Sequence, residues 1–208
     1  MVIRESKKIT LYIPKTKDIQ LIVGLFKNHF FHPYKASKGA SRLPVLALYA
    51  VYSVLIDQLD RYKGMELKPL EAHSAADSQT GAIGDIEIAN LSTGEIFEAV
   101  EVKHDIAISE RIIQDAAKKI MDKSVDRYYI LTTHQNCEPD EELGKVISNI
   151  KAMYNCQLIS NGLIPSLKYY LRLLSDPSLV FPKYVELLVL DKAIKHEHRD
   201  TWNKLATK

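Results

Sequence analysis

Three side chains in this sequence combine into one chemical unit. Asp85 follows Gly84 inside an alternating run, AIGDIEIAN, and Glu101 and Lys103 stand in a second run, EIFEAVEVKH, with Glu101 sixteen residues after Asp85. Two carboxylates brought close together repel when both are ionised, and the pair favours a hard divalent cation such as Mg²⁺. Such a cation lowers the pKa of a bound water and polarises a phosphodiester. A lysine two residues beyond a carboxylate on a strand points to the same side. There it can orient or help deprotonate an attacking water, or neutralise charge developing on a phosphate. The unit therefore points to metal-assisted phosphodiester hydrolysis, with Asp85, Glu101 and Lys103 catalytic and Asp85 and Glu101 as the metal ligands.

That chemistry needs a frame that brings the two runs together. Ala82 to Asn90 and Glu95 to His104 both alternate as strands do, and Leu91-Ser92-Thr93-Gly94 is a short connection, so an antiparallel hairpin is expected. With a suitable register Asp85, Glu101 and Lys103 share one face; a one-residue slip would turn Asp85 away. Ser109 can cap a helix from about Glu110 to Lys123, and Arg127 to Thr133 is an apolar strand rich in β-formers. The order hairpin, helix, strand predicts a parallel pairing of that strand with the second hairpin strand through a right-handed crossover.

Around this core the spacing predicts mostly helices. Lys17 to Phe31 is amphipathic, with Asp18 in its first turn, and Leu43 to Tyr62 is apolar on nearly every side, as befits a helix set against the core or a partner subunit. Asp140 to Tyr154, Ser166 to Leu174 and Tyr184 to His198 read as further helices, the last with His196 and His198 at its negative pole and Trp202 beyond. Ile9 to Ile13 and the run CQLIS read as short strands. Together these give one domain over 1–208: a basic helical segment over 1–69, a catalytic core over 70–160 and a helical segment over 161–208.

Gly84-Asp85 followed by Glu101-Val102-Lys103 resembles the signature of the PD-(D/E)XK nuclease superfamily, with glycine where the signature proline would stand. The crossover helix and the strand around Tyr129 to Thr132 follow in the same order, so the resemblance covers about residues 70 to 135. It implies an α/β fold with a restriction-endonuclease-like core, a short mixed sheet flanked by helices. Within the superfamily, LEAHSAADSQTGAIGDIEI and NGLIPSLKYYLRLL look most like a type II restriction endonuclease. That likeness implies a homodimer cutting double-stranded DNA at a short specific sequence with Mg²⁺, beside a methyltransferase that protects the same site. It also brings in Glu71 and Gln114 as auxiliary candidates, an extra acid and a helix residue bearing on the site. Glu87 joins them as a third acidic candidate, since the strand alternation itself points it the same way as Asp85.

Charge and composition narrow the partners. The chain of 208 residues carries a net charge of +2, but residues 1–42 hold nine Lys or Arg against two acids. A basic segment beside an acidic middle suits phosphate contacts around a carboxylate site. In PYKASKGASR, Tyr34, Lys35, Lys38 and Arg42 are the candidates for phosphate contact. Ser78, Gln79 and Thr80, next to the unit, are placed to reach DNA, and Gln79 is suited to reading adenine. The longest apolar stretch falls short of the roughly 20 residues a bilayer span needs. No phosphate-binding GxxxxGK[ST] loop is present, which argues against ATP-driven action. The N-terminus lacks a secretory pattern, and two separated cysteines suit a reducing compartment, so cytoplasm is the default.

Two other functions compete. A repair or recombination nuclease of the same fold would recognise DNA shape or a lesion. A DNA-binding module would keep the fold without catalysis. A blander alternative makes Asp85, Glu87, Glu101 and Lys103 the solvated face of a hairpin, with cross-strand ion pairs worth about 0.2–1 kcal/mol each.

Overall fold

The computed structural model describes residues 10–35, 39–71 and 81–207. The alternating runs fold as the expected hairpin. β2 (Ile86–Asn90) and β3 (Ile96–Lys103) pair antiparallel, with Ile86 opposite Val100 and Glu87 opposite Ala99. The connection is closed by Asn90, whose Oδ1 accepts from the Ser92 N–H and Oγ–H at 2.9 and 2.7 Å, and by Gly94 at φ +72°. A short strand, β1 (Met65–Leu67), which carries no alternation long enough to read from sequence, pairs antiparallel with the outer side of β2.

After the hairpin the chain crosses through α3 (Glu110–Ile120) into β4 (Val125–Thr132), which pairs parallel with β3. A second crossover through α4 (Glu141–Tyr154) brings β5 (Gln157–Gly162) parallel to β4. The result is a mixed α/β fold whose five-stranded sheet runs in the order β1-β2-β3-β4-β5 and is flanked by helices.

The two faces of the sheet pack against different layers. On one face Ile113, Ala116 and Ile120 of α3 and Ile150 of α4 cover Ala99, Tyr128, Ile130 and Leu158. On the other, Ile86, Ile88, Val100, Val102 and Leu131 meet α1 (Ile19–Phe30), α2 (Arg42–Gln58), α5 (Leu163–Leu171) and α6 (Val180–Leu190), with Trp202 of α7 (His196–Ala206). α2 is buried along most of its length within its own chain, each full Leu or Val burial contributing about 1.5–3 kcal/mol. Its apolar surround is thus accounted for without a partner subunit. No helix among the described residues is long and apolar enough to cross a membrane.

Several expected boundaries move, each for a local reason. Asp18 is the N-cap of α1 rather than a first-turn residue, its Oδ1 accepting from the N–H of Gln20 and Leu21. Residues 10–13 form no strand; Asn203 of α7 holds them by accepting from the Tyr12 N–H at 2.8 Å and donating to the Thr10 carbonyl at 2.9 Å. The helix expected over Tyr184 to His198 is two helices. Asp191 ends the first: its Oδ1 takes the Ala193 N–H at 2.8 Å and its Oδ2 takes the Arg42 Nε–H at 2.9 Å, local bonds that compete with helix continuation. His196 and His198 therefore open α7 instead of closing a helix, and His198 is fully buried.

Candidate active site

Gly84-Asp85 enters β2 from a segment tied down on three sides. The Ile83 N–H bonds the Glu87 carboxylate, the Ile83 carbonyl takes the Tyr128 hydroxyl at 3.0 Å, and the Gly81 carbonyl takes Lys123 Nζ at 2.6 Å. Gly84 passes so close to β3 that a Cβ there would lie 2.8 Å from the Val100 carbonyl oxygen. Continuing the β2–β3 register by one residue sets Asp85 across from Glu101, and the Val102 N–H donates to Asp85 Oδ2 at 2.8 Å.

Glu101 is the most heavily bonded group of the site. Its Oε1 lies 2.5 Å from Lys103 Nζ, and its Oε2 accepts from Lys119 Nζ at 2.9 Å and lies 3.2 Å from the Tyr128 hydroxyl, whose one proton it shares with the Ile83 carbonyl. The side chains of Glu101, Lys103 and Lys119 are 13%, 27% and 23% exposed, so this face of the hairpin is not a solvated one. Ile112, Asp115, Ala116 and Lys119 form one stripe of α3 over a cleft of about 400 Å³, whose floor is Glu101, Lys103, Tyr128 and Ile130.

The two carboxyls differ electrostatically. Burial and the neighbouring Glu101 charge push the Asp85 carboxyl above the usual range, against the Val102 N–H, Arg42 and Lys103, which pull it down. Burial also acts to raise Glu101, but Lys119 and Lys103 more than offset it and hold Glu101 below the usual range. Asp85 thus lacks the compensation that Glu101 receives from two lysines.

The expected auxiliary residues divide. Glu71 and Glu87 line a second cleft of about 340 Å³ with Gly84 and Asp85. Glu87 is occupied by the Ile83 backbone, however, and Gln114 faces away, exposed and bonded to Glu110 at 2.7 Å. Among the described residues no three His, Cys, Asp or Glu side chains are grouped so as to hold a metal ion. A pair of carboxylates with room for water and substrate oxygens fits Mg²⁺, which is ordinarily held by one or two carboxylates and not by an all-protein cage.

The expected DNA contacts fare unevenly. Arg42 is 4% exposed, its Nε bonded to Asp191 and its other nitrogen donating to the Glu71 carbonyl at 2.7 Å; it is a buried strut and not a phosphate-contacting side chain. Tyr34 turns inward, its hydroxyl donating to the His29 carbonyl at 2.8 Å. Lys35 is exposed. Lys38, Ser78, Gln79 and Thr80 lie outside the described residues. The sequence reading missed Lys119 and the part played by Tyr128. The signal for Lys119 was its place three and seven residues after Ala116 and Ile112, on the stripe that faces the sheet. For Tyr128 it was the strand alternation that sets it beside Ile130, facing Glu101 from β4.

Compared with known proteins, the chain matches no protein-family model and no curated protein.

Proposed function

We propose that this chain is a Mg²⁺-dependent endonuclease that hydrolyses phosphodiester bonds of double-stranded DNA, built on a restriction-endonuclease-like core. The observation that carries the reading is the meeting of Asp85, Glu101 and Lys103 at one place on a mixed sheet, where β2 and β3 are antiparallel and β3 and β4 parallel across a helix. Asp85 and Glu101 would hold the cation. When bound, it would polarise the phosphodiester and acidify water. Lys103 reaches the cleft from the same strand face and would orient the attacking water and balance charge gathering on the phosphate. Val102 fixes Asp85 through its backbone N–H, so the acid is positioned before any ligand arrives.

Sequence-specific cutting of the type II restriction kind, as a homodimer with a companion methyltransferase acting on the same site, is the more specific form of the proposal and rests on the resemblance. Its test is unmethylated phage DNA incubated with the protein in Mg²⁺ and in EDTA, beside Lys103→Ala. Discrete Mg²⁺-dependent fragments that Lys103→Ala loses, with at least a hundredfold drop in rate, are expected. Cutting confined to branched or mismatched DNA would instead favour a repair nuclease of the same fold. Retention of DNA without cleavage of any substrate would overturn catalysis.

A further inference from the structure

We infer that Lys119 is a resident counter-cation of the carboxylate site, occupying the Glu101 oxygen that a divalent cation must share and competing with it. This inference rests on the reading of Asp85 and Glu101 as metal ligands.

The contacts of Glu101 are the starting point. Lys103 takes one of its oxygens, and Lys119 and Tyr128 take the other, so neither oxygen lacks a donor. Asp85 is in a different condition: among the described residues its Oδ2 receives one backbone donor and no lysine is bonded to it. A cation entering beside Asp85 meets a carboxyl without a lysine partner among the described residues but finds Glu101 already paired with two. Oε1 carries Lys103 alone, whereas Oε2 carries Lys119 with Tyr128 beside it, so a cation shared with Asp85 through Oε2 requires the Lys119 ammonium to leave. Lys103 sits on β3 itself, two residues away and on the same strand face. Lys119 comes from another element, α3, on a flexible four-carbon stem. Beneath it the cleft opens along the stripe of Ile112, Asp115 and Ala116. Asp115, one turn earlier on α3 and already paired with Lys118 at 3.0 Å, is a second acid at the helical spacing that lets it share a further lysine. Lys119 is the ammonium that can leave.

The structural consequence is that an unoccupied site remains ordered. Two acids facing each other with no cation would repel; with Lys119 and Lys103 in place the charges balance and Glu101 keeps its orientation. The cost is a weaker affinity for the cation when no substrate is present.

The test is Ca²⁺ titration by calorimetry without DNA. It is paired with Tb³⁺ luminescence, for which the Tyr128 ring beside Glu101 is a built-in sensitiser. Lys119→Met and Lys119→Gln should bind Ca²⁺ at least tenfold more tightly than the native chain. Lys119→Arg, which keeps the charge, should stay within threefold of it, and Glu101→Gln should lose binding. Circular dichroism melts identify any variant that does not fold; Met and Gln at position 119 serve as independent replacements. Unchanged or weaker Ca²⁺ binding in both charge-removing variants, with Glu101→Gln still abolishing it, would overturn the inference and leave the metal reading standing. Binding that Glu101→Gln does not alter, or no binding by any form of the chain, would overturn both.

Discussion

Glu98 and Glu101 stand three residues apart on β3 and serve opposite faces of the sheet. Glu98 is 1% exposed beneath the helical layer, where it accepts from the Tyr52 hydroxyl at 2.6 Å and the Tyr62 hydroxyl at 3.4 Å and pairs with Arg61 at 2.7 Å. Arg61 in turn lies over the rings of Tyr62 and Phe97. Glu101 is also nearly covered, but two lysines hold it at the edge of a cleft. Burial and a full set of partners thus do not distinguish a structural acid from a functional one. The kind of partner does. Tyrosines have few rotatable bonds and are locked by packing, so the two hydroxyls stay on Glu98 whatever its third partner, the 43% exposed Arg61, does. Lysines are flexible and open on the cleft, so Glu101 can exchange one cation for another.

The contrast breaks most visibly on removal of each acid. Glu98→Ala strips the partner from Arg61 and two buried hydroxyls at once and should cost about 3–4 kcal/mol, read from urea denaturation. Glu101→Gln keeps the shape and frees two lysines that already border the cleft, and it should cost less than half as much while eliminating cation binding. Equal losses from the two variants would erase the distinction drawn between them.

The difference between these two acids was only half legible in the sequence. Alternation from Ala99 to Lys103 sorts the site correctly: Glu101 and Lys103 go one way, Val100 and Val102 the other. At the start of the strand alternation fails, because the pairing shifts between Ile88 and Ala89 and leaves an extra residue on β3. Phe97 and Glu98 then both serve the helical layer. Nothing in the spacing of EIFEAV announces that bulge. Lys119 and Arg42 fail for another reason. Whether a helical lysine or arginine meets water or a carboxylate depends on what packs opposite, and that is set by residues 18 and 149 positions away. The hairpin, the parallel crossover and most of the helices were readable because their periodicities are local.

The helical face has a titratable weak point built on an imidazole. His29 is fully buried; Nε2 donates to the His198 carbonyl at 2.8 Å, which leaves Nδ1 to accept from the Tyr184 hydroxyl at 2.8 Å. Burial pushes its pKa down to about 4, against 6.5 for a free imidazole. Between those values the unfolded chain binds a proton that the folded chain refuses. The stabilisation is therefore complete above pH 6.5 and is lost as the pH falls toward 4, by up to about 3 kcal/mol. Urea midpoints measured from pH 7 to 4 should show this fall, and His29→Gln should flatten it. An undiminished slope in that variant would place the acid sensitivity elsewhere.

The smallest effect sharpens the comparison within one residue type. At Gly84 an added Cβ would meet the Val100 backbone, its oxygen at 2.8 Å and its carbon and nitrogen at 3.1 Å, and a neighbouring strand cannot rotate out of the way as a side chain can. Gly84→Ala should cost about 1–2 kcal/mol by forcing β2 and β3 apart. The strain falls on the residue before Asp85, so the 2.8 Å bond from the Val102 N–H should lengthen and Ca²⁺ affinity should drop several-fold. Gly144, inside α4, would place its Cβ within 4 Å of nothing, and Gly144→Ala should stabilise by about 0.5–1 kcal/mol through helix propensity with cation affinity unchanged. Thermal melts and calorimetry on the two variants separate the possibilities. If both lost cation affinity, the site would be sensitive to any disturbance of the fold. Loss in Gly84→Ala alone would trace the placement of Asp85 to the close approach of two strands that only glycine permits.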